Sequence, residues 1–209
     1  GVGRVEDFTV FIPGALLGET VEARIVEVKK SYARGVIARI IDKSPDRVAP
    51  ACDIYEKCGG CQLQHLTYDA QLKVKRQQVV DAVERIGKQK SVPIFPALGA
   101  ENPWNYRNKM QFPVGRQKNK VVIGCYAMGS HAIVDTHNCL IQEEANNTIA
   151  NIVREVAQKL SLSVYDEKAH KGVLRHVVGR IAEEGVMVVL VTATPVLPHA
   201  HELINELRA

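Results

Sequence analysis

Five cysteines occur in the chain, and three of them stand close together as Cys52-x5-Cys58-Gly59-Gly60-Cys61. The thiolate is the form of cysteine that binds metal. Three thiols this close, in a chain with no basic flank and apolar run at its start, argue for metal rather than disulfides. Gly59-Gly60 lets the backbone turn tightly, so that Cys58 and Cys61 can face one ion or cluster. A fourth ligand is needed. Cys139 ends the polar loop Asp135-Thr136-His137-Asn138, where a thiol can turn toward a site. Cys125 lies in the apolar run 121–128 and reads as a small buried hydrophobe. Four thiolates suit zinc or an iron–sulfur cluster, and a compact zinc set of Cys52, Cys58, Cys61 and His65 is also open. Spacing does not decide between the metals, although a zinc ribbon would offer two Cys-x2-Cys pairs and only one is present. The radical S-adenosylmethionine pattern, Cys-x3-Cys-x2-Cys, is absent.

A second set of residues could grip an anion. The formal net charge is +4, a mild excess whose distribution says more than its total. No Asp or Glu occurs from Asn102 to Val134, while Arg107, Lys109, Arg116, Lys118 and Lys120 do. Trp104, Tyr106, Phe112 and Tyr126 are interleaved with them. Cations contact phosphates, and aromatic rings stack on splayed bases. The residues expected to bind RNA are Arg107, Lys109, Phe112 and Arg116, with Lys29, Lys30, Tyr32 and Arg34 as a further basic cluster. Singly, each aromatic residue also fits a core position. His131, His137, His170 and His176 show no pairing signature and read as structural.

The elements that position these groups follow from periodicity. Residues 1–48 read as short strands punctuated by Pro13-Gly14 and Gly18, which suggests a small β-barrel. Val21, Ala23 and Ile25 share one phase and Val26 and Val28 the other, a change expected of a bulge. Gly35 is expected to bend the next strand. Thr67 can cap a helix to Ile86 whose buried stripe is Leu72, Val79, Val83 and Ile86, with Gly87 as its C-terminal cap. Strands are expected at 110–114, 121–128 and 132–134. A helix over 143–160 should bury Ile149, Ile152, Val153, Val156 and Leu160. A hairpin turning at Glu183-Glu184-Gly185 and a last helix running to Ala209 complete an α+β chain. The composition, 46% hydrophobic and 24% charged, excludes disorder as the default. No apolar run approaches the roughly 20 residues of a membrane helix, so a cytoplasmic monomer is the simplest expectation.

Cys-x5-Cys-Gly-Gly-Cys with the distant Cys139, the stretch from Val5 to Ala15, Trp104-Asn-Tyr-Arg-Asn-Lys-Met-Gln-Phe112 and Leu174-Arg-His-Val-Val-Gly-Arg180 together resemble RNA uracil-5-methyltransferases of the 23S ribosomal RNA type. The resemblance covers essentially the whole chain in the same order. It implies a TRAM domain, an OB-like barrel, over residues 1–48 and an iron–sulfur central domain over 49–209. It implies a 4Fe–4S cluster on Cys52, Cys58, Cys61 and Cys139. It implies an RNA partner, 23S ribosomal RNA first and transfer RNA second. In that family a cysteine thiolate adds to uracil C6, and the resulting enolate takes the methyl group at C5. The nucleophile, the base and the S-adenosylmethionine site lie in a C-terminal domain. No glycine-rich nucleotide loop follows a strand here. The expectation is therefore an N-terminal portion with no catalytic residue of its own, inactive alone. The alternative is a stand-alone zinc- or cluster-binding RNA-binding module.

Overall fold

The computed structural model describes residues 1–208; the end of the last expected helix, Ala209, lies outside them. The chain divides into two compact units, each assembled from two stretches of sequence. One comprises Gly1–Ala51 and Gln62–Gly99, the other Cys52–Cys61 and the residues from Ala100 onward. The expected division at residue 48 therefore differs from the one observed. The segment 62–99 groups with the N-terminal strands, and only the short cysteine-bearing segment goes with the rest.

The first unit is built on strands β1 (Val2–Val5), β2 (Phe8–Phe11), β3 (Thr20–Val28) and β4 (Tyr32–Asp42) in the order β1-β2-β4-β3. β2 and β4 are parallel and the other neighbours antiparallel. Val10 and Ala33 are partners across the parallel pair, and both are buried. β1 pairs only with β2 and β3 only with β4 among the described strands, so this is an open four-stranded sheet where a barrel was expected. The phase change in β3 is a register shift between Ile25 and Glu27 that sets Val26 out of the ladder. Gly35 does not break β4. It stays paired with Ile25, and its missing side chain admits the Arg24 carbonyl, which a Cβ would meet at 3.2 Å.

The same unit contains α1 (Tyr68–Asp81), which continues as one π-helical stretch over Ala82–Ile86. Thr67 precedes it without capping it. Its N–H and hydroxyl donate instead to the Asp46 carbonyl at 2.9 Å and carboxylate at 3.3 Å. Gly87 does not take the left-handed cap conformation; its φ is −71°. The expected apolar stripe is also not buried. Ala70 is the buried residue of the helix, and Ile86 is 82% exposed.

In the second unit, β5 (Lys109–Gln117), β6 (Lys120–Tyr126), β7 (Ile133–Asp135), β8 (Leu174–Ala182) and β9 (Gly185–Thr192) form an antiparallel sheet ordered β7-β6-β5-β8-β9. The β5–β6 turn is two residues long, and both Lys118 and Asn119 have positive φ, the geometry that matches strand twist in a tight hairpin. α2 (Glu144–Lys159) covers one face of the sheet. Its apolar residues recur at helical spacing, and Ile149, Val153 and Val156 are buried against Met110, Phe112, Val114, Val121, Ile123 and Val177. α3 (Ala200–Arg208) adds the buried Leu203 to this core. Among the described residues, no helix is long and apolar enough to cross a membrane.

Candidate thiol centre and nucleic-acid interface

All five cysteines fall in the second unit. Three elements bring them there. Residues 52–61 form a chain of turns that docks on the end of β6: the Gly59 N–H donates to the Tyr126 carbonyl at 2.9 Å, and Cys58 bridges to Ala127. A Cβ on Gly59 would lie 2.9 Å from that carbonyl oxygen, so only glycine allows the approach. β6 supplies Cys125. The loop after β7 supplies Cys139, whose N–H donates to the Asn147 Oδ1 at 2.9 Å. The Asn147 amide donates back to the Cys139 carbonyl at 3.3 Å and to Asn138 Oδ1 at 3.1 Å.

That loop is held from below by Arg154, which is 6% exposed. Its guanidinium donates to the carbonyls of Ile123 at 2.9 Å and Thr136 at 2.6 Å, and to the Asp135 carboxylate at 3.2 Å. A fixed cationic fork with several acceptors is the arrangement in which a buried Arg is tolerated. Neither Arg154 nor Asn147 was singled out in the sequence, because a helical Arg or Asn carries no local mark of what it will reach.

The thiols interact electrostatically. Burial raises Cys52, and negative charge on Cys58 and Cys61 raises it further. Burial raises Cys139, with Cys61 and Cys58 adding to it. A hydrogen bond with Cys125 lowers Cys58, and the same bond raises Cys125. Cys125 is thus half-buried against the core, as its apolar strand suggests, yet it also belongs to the thiol group. The donor set is chemically that of a thiolate-bound metal or cluster. The side chains are not gathered around a single centre, however: among the described residues no three or more His, Cys, Asp or Glu are disposed to hold a metal ion. His65, the zinc alternative, is buried in the other unit, and burial followed by the Arg47 charge lowers its pKa.

The expected RNA contacts separate. Arg107 and Lys109 are exposed and line a cleft of about 440 Å³ with Tyr106, Gln111, Cys125 and Gln142. No carboxylate lines this cleft. Tyr106 is 63% exposed beside the two cations. The Arg107 charge reaches Cys125, whose thiol it acts to lower. Arg107 is placed by backbone pairing with the segment that follows Cys139: its N–H donates to the Ile141 carbonyl at 2.9 Å, and its carbonyl accepts from the Glu143 N–H at 3.1 Å. Phe112 also lines this cleft, yet its side chain belongs to the core. It is 2% exposed and packs in the core of this unit, because β5 alternates and places Met110, Phe112 and Val114 on the face under α2. Its ring cannot stack on a base without leaving that core. Arg116 is at the other end of β5, about 24 Å along the strand from Lys109, and donates to the carbonyls of Asn119 and Leu162. In the first unit Lys29 and Arg34 both pair with Glu27, at 2.8 and 3.3 Å, and Arg34 lies over the Tyr32 ring.

Comparison with known proteins adds to this geometry. Residues 1–38 match the TRAM domain. An uncharacterized RNA methyltransferase of Clostridium tetani is 51% identical over 99% of this chain and 45% of its own length. One of Halalkalibacterium halodurans is 46% identical over 99% of this chain and 46% of its own length. The chain therefore spans about half the length of the curated relatives it matches. Among solved structures, the Pyrococcus abyssi tRNA (uracil-54, C5)-methyltransferase in complex with S-adenosyl-L-homocysteine is similar over 97% of this chain and 48% of its own. The TM-score is 0.66 and the identity 28%. The TRAM match lies wholly within the first unit and includes the Phe11–Tyr32 ring pair.

Proposed function

We propose that this chain is the RNA-gripping portion of an S-adenosylmethionine-dependent RNA (uracil-C5) methyltransferase. The carboxylate-free cleft of Tyr106, Arg107 and Lys109 is the observation that carries the reading within the chain. The TRAM match, the RNA methyltransferase relatives and the uracil-C5 methyltransferase neighbour support it from outside. Methylating C5 requires the uracil to leave its stack. The work assigned to these residues is to neutralise phosphates beside the extruded base and to hold the strand in register. Ribosomal RNA of the 23S type is the proposed substrate, from the sequence resemblance. Transfer RNA is the second reading, favoured by the neighbour's own substrate. S-adenosylmethionine is assigned to the part of the relatives that this chain does not span, as are the catalytic groups.

The cluster proposal is that Cys52, Cys58, Cys61 and Cys139 hold a 4Fe–4S centre. When bound, such a centre supplies four thiolate–iron links, enough to staple the 52–61 segment to the loop after β7. Cys125 is a neighbour of that set rather than a member.

Incubation of the full-length protein with methyl-labelled S-adenosylmethionine and transcripts of 23S ribosomal RNA or transfer RNA tests the activity. Label in 5-methyluridine is expected. Methyl transfer to another position, or to none of these RNAs, would remove the reading.

A further inference from the structure

A second groove lies in the same unit on the sheet face turned away from α2. Its volume is about 710 Å³, within the range of sites that enclose a small ligand. The floor is Pro113, Gly115, Val122 and His176, which share one face of β5, β6 and β8 by register. The side chains are small at Gly115, where a Cβ would lie 2.5 Å from the Ile133 side chain. One wall is the ring pair of Tyr126 and His131, stacked at 5.1 Å with 25° between planes. Another part of the lining is the Tyr165 ring, with the Arg175 guanidinium 4.5 Å from its centroid. Arg116 and Lys168 complete the rim.

Two carboxylates also reach this groove, and both are spent internally. Asp166 accepts the backbone N–H groups of Lys168 at 2.8 Å and Ala169 at 3.0 Å. Glu167 accepts from His131 Nδ1 at 2.9 Å and from the Tyr126 hydroxyl. Both carboxylates stay ionised, so the opening presents π surface with three cations, Arg116, Lys168 and Arg175, against two carboxylates. Aromatic faces beside guanidinium groups suit a stacked base with an adjoining phosphate, and they tolerate any base.

We propose that this groove is a single-nucleotide subsite for unpaired RNA, one splayed base lying against Tyr165 or the Tyr126–His131 pair with its phosphate toward Arg116 or Arg175. The inference rests on the RNA-binding reading above and deepens it. It adds a contact on the sheet face opposite the core, at the end of β5 away from Lys109. It also gives Arg116 a place in RNA binding separate from Arg107 and Lys109.

The test uses the whole chain and a fluorescein-labelled decauridylate. Tyr165→Ala and Tyr126→Ala should each weaken binding about fivefold or more, the loss of one base stack, with the salt slope unchanged. Tyr165→Phe keeps the ring and should bind as the unaltered chain does. Arg175→Gln should lower both affinity and salt slope. A 5-bromouridine version of the same oligonucleotide should photocrosslink to the peptide carrying Tyr126 or Tyr165, a readout that does not depend on variant folding. If the unaltered chain binds and the crosslinks fall only on residues 104–112, or the alanine variants bind normally, the groove is discarded while the RNA reading stands. If the unaltered chain binds no RNA, both fall together.

Discussion

The Cys125 and Cys58 thiols lie within hydrogen-bond reach of each other. A Cβ placed on Gly60 would lie 3.4 Å from one of these sulfurs and 3.5 Å from the other. The pair is fixed by the docking of Gly59 on the Tyr126 carbonyl, not by proximity in sequence. If the cluster sits on Cys52, Cys58, Cys61 and Cys139, then Cys139→Ser should strip iron from anaerobically purified protein. Cys125→Ser should leave the iron content and the broad absorption near 400 nm, about where thiolate-to-iron charge transfer falls, in place. Colourless protein with stoichiometric zinc would overturn the cluster assignment. Loss of iron in the Cys125 variant alone would overturn the ligand choice.

The two RNA clefts make separable demands on salt dependence. Arg107→Gln with Lys109→Gln should flatten the log–log salt slope of RNA binding by up to about two phosphate contacts. Phe112→Ala should leave that slope alone and lower the melting temperature instead, since losing a buried ring costs roughly 3–5 kcal/mol. A Phe112→Ala protein with unchanged melting and weakened RNA binding would return the ring to the interface.

Arg154 ties three carbonyl or carboxylate acceptors around the loop that presents Cys139. Arg154→Met leaves the Thr136 carbonyl without this donor, while the Ile123 carbonyl keeps the Thr136 N–H and the Asp135 carboxylate keeps the Ile123 N–H, at a cost of about 1–3 kcal/mol. Thiol labelling under native conditions should then report Cys139 as faster-reacting than in the unaltered chain. Equal labelling rates would mean that Asn147 alone holds the loop.

Glu19 and Arg47 form a bidentate pair at 2.5 and 2.7 Å in the first unit, with no exposure of the Glu19 side chain. The Arg47 hydrogen bond and the N–H donors of Leu16 and Ser44 bring the Glu19 carboxyl down to about 2 against the cost of burial. A carboxyl depressed in the folded state contributes stability above its unfolded value of 4.5. That contribution is lost as pH falls from there toward 2. Melting followed from pH 6 to pH 2 should show this acid loss, and Glu19→Gln should remove it. Arg47→Met should destabilise by about 3–5 kcal/mol at neutral pH, by leaving an enclosed carboxylate without its counter-charge. An unchanged acid limb in Glu19→Gln would place the acid sensitivity elsewhere.

Much of the second unit is legible in its residues because it is patterned. α2 carries its apolar positions at 3.6-residue spacing, and β5 alternates from Lys109 to Val114. The same alternation places Phe112 inside, once the phase set by Met110 is followed. What eludes the pattern is tertiary. The acid-free run 102–134 keeps that character in space around Arg107 and Lys109 but loses it at His131, which meets Glu167 from a distant loop. The Cys58–Cys125 contact depends on an isolated bridge to Ala127, which no spacing announces. α1 shows the converse: an apolar stripe is present, and Val79 and Ile86 are still exposed, because periodicity states what a face could bury and not whether anything packs on it.

The return of residues 52–61 to the second unit orders events during synthesis. Cys52, Cys58 and Cys61 leave the ribosome before the strand bearing Cys125 and the loop bearing Cys139 have been made. At ordinary elongation rates the interval is several seconds. In that interval the nascent chain displays three closely spaced thiols with no partner strand to shelter them, and the sheet that will receive them does not yet exist. If those sulfurs are to hold the proposed centre, they must stay reduced and unclaimed while the rest of the chain arrives, which makes synthesis rather than turnover their vulnerable moment.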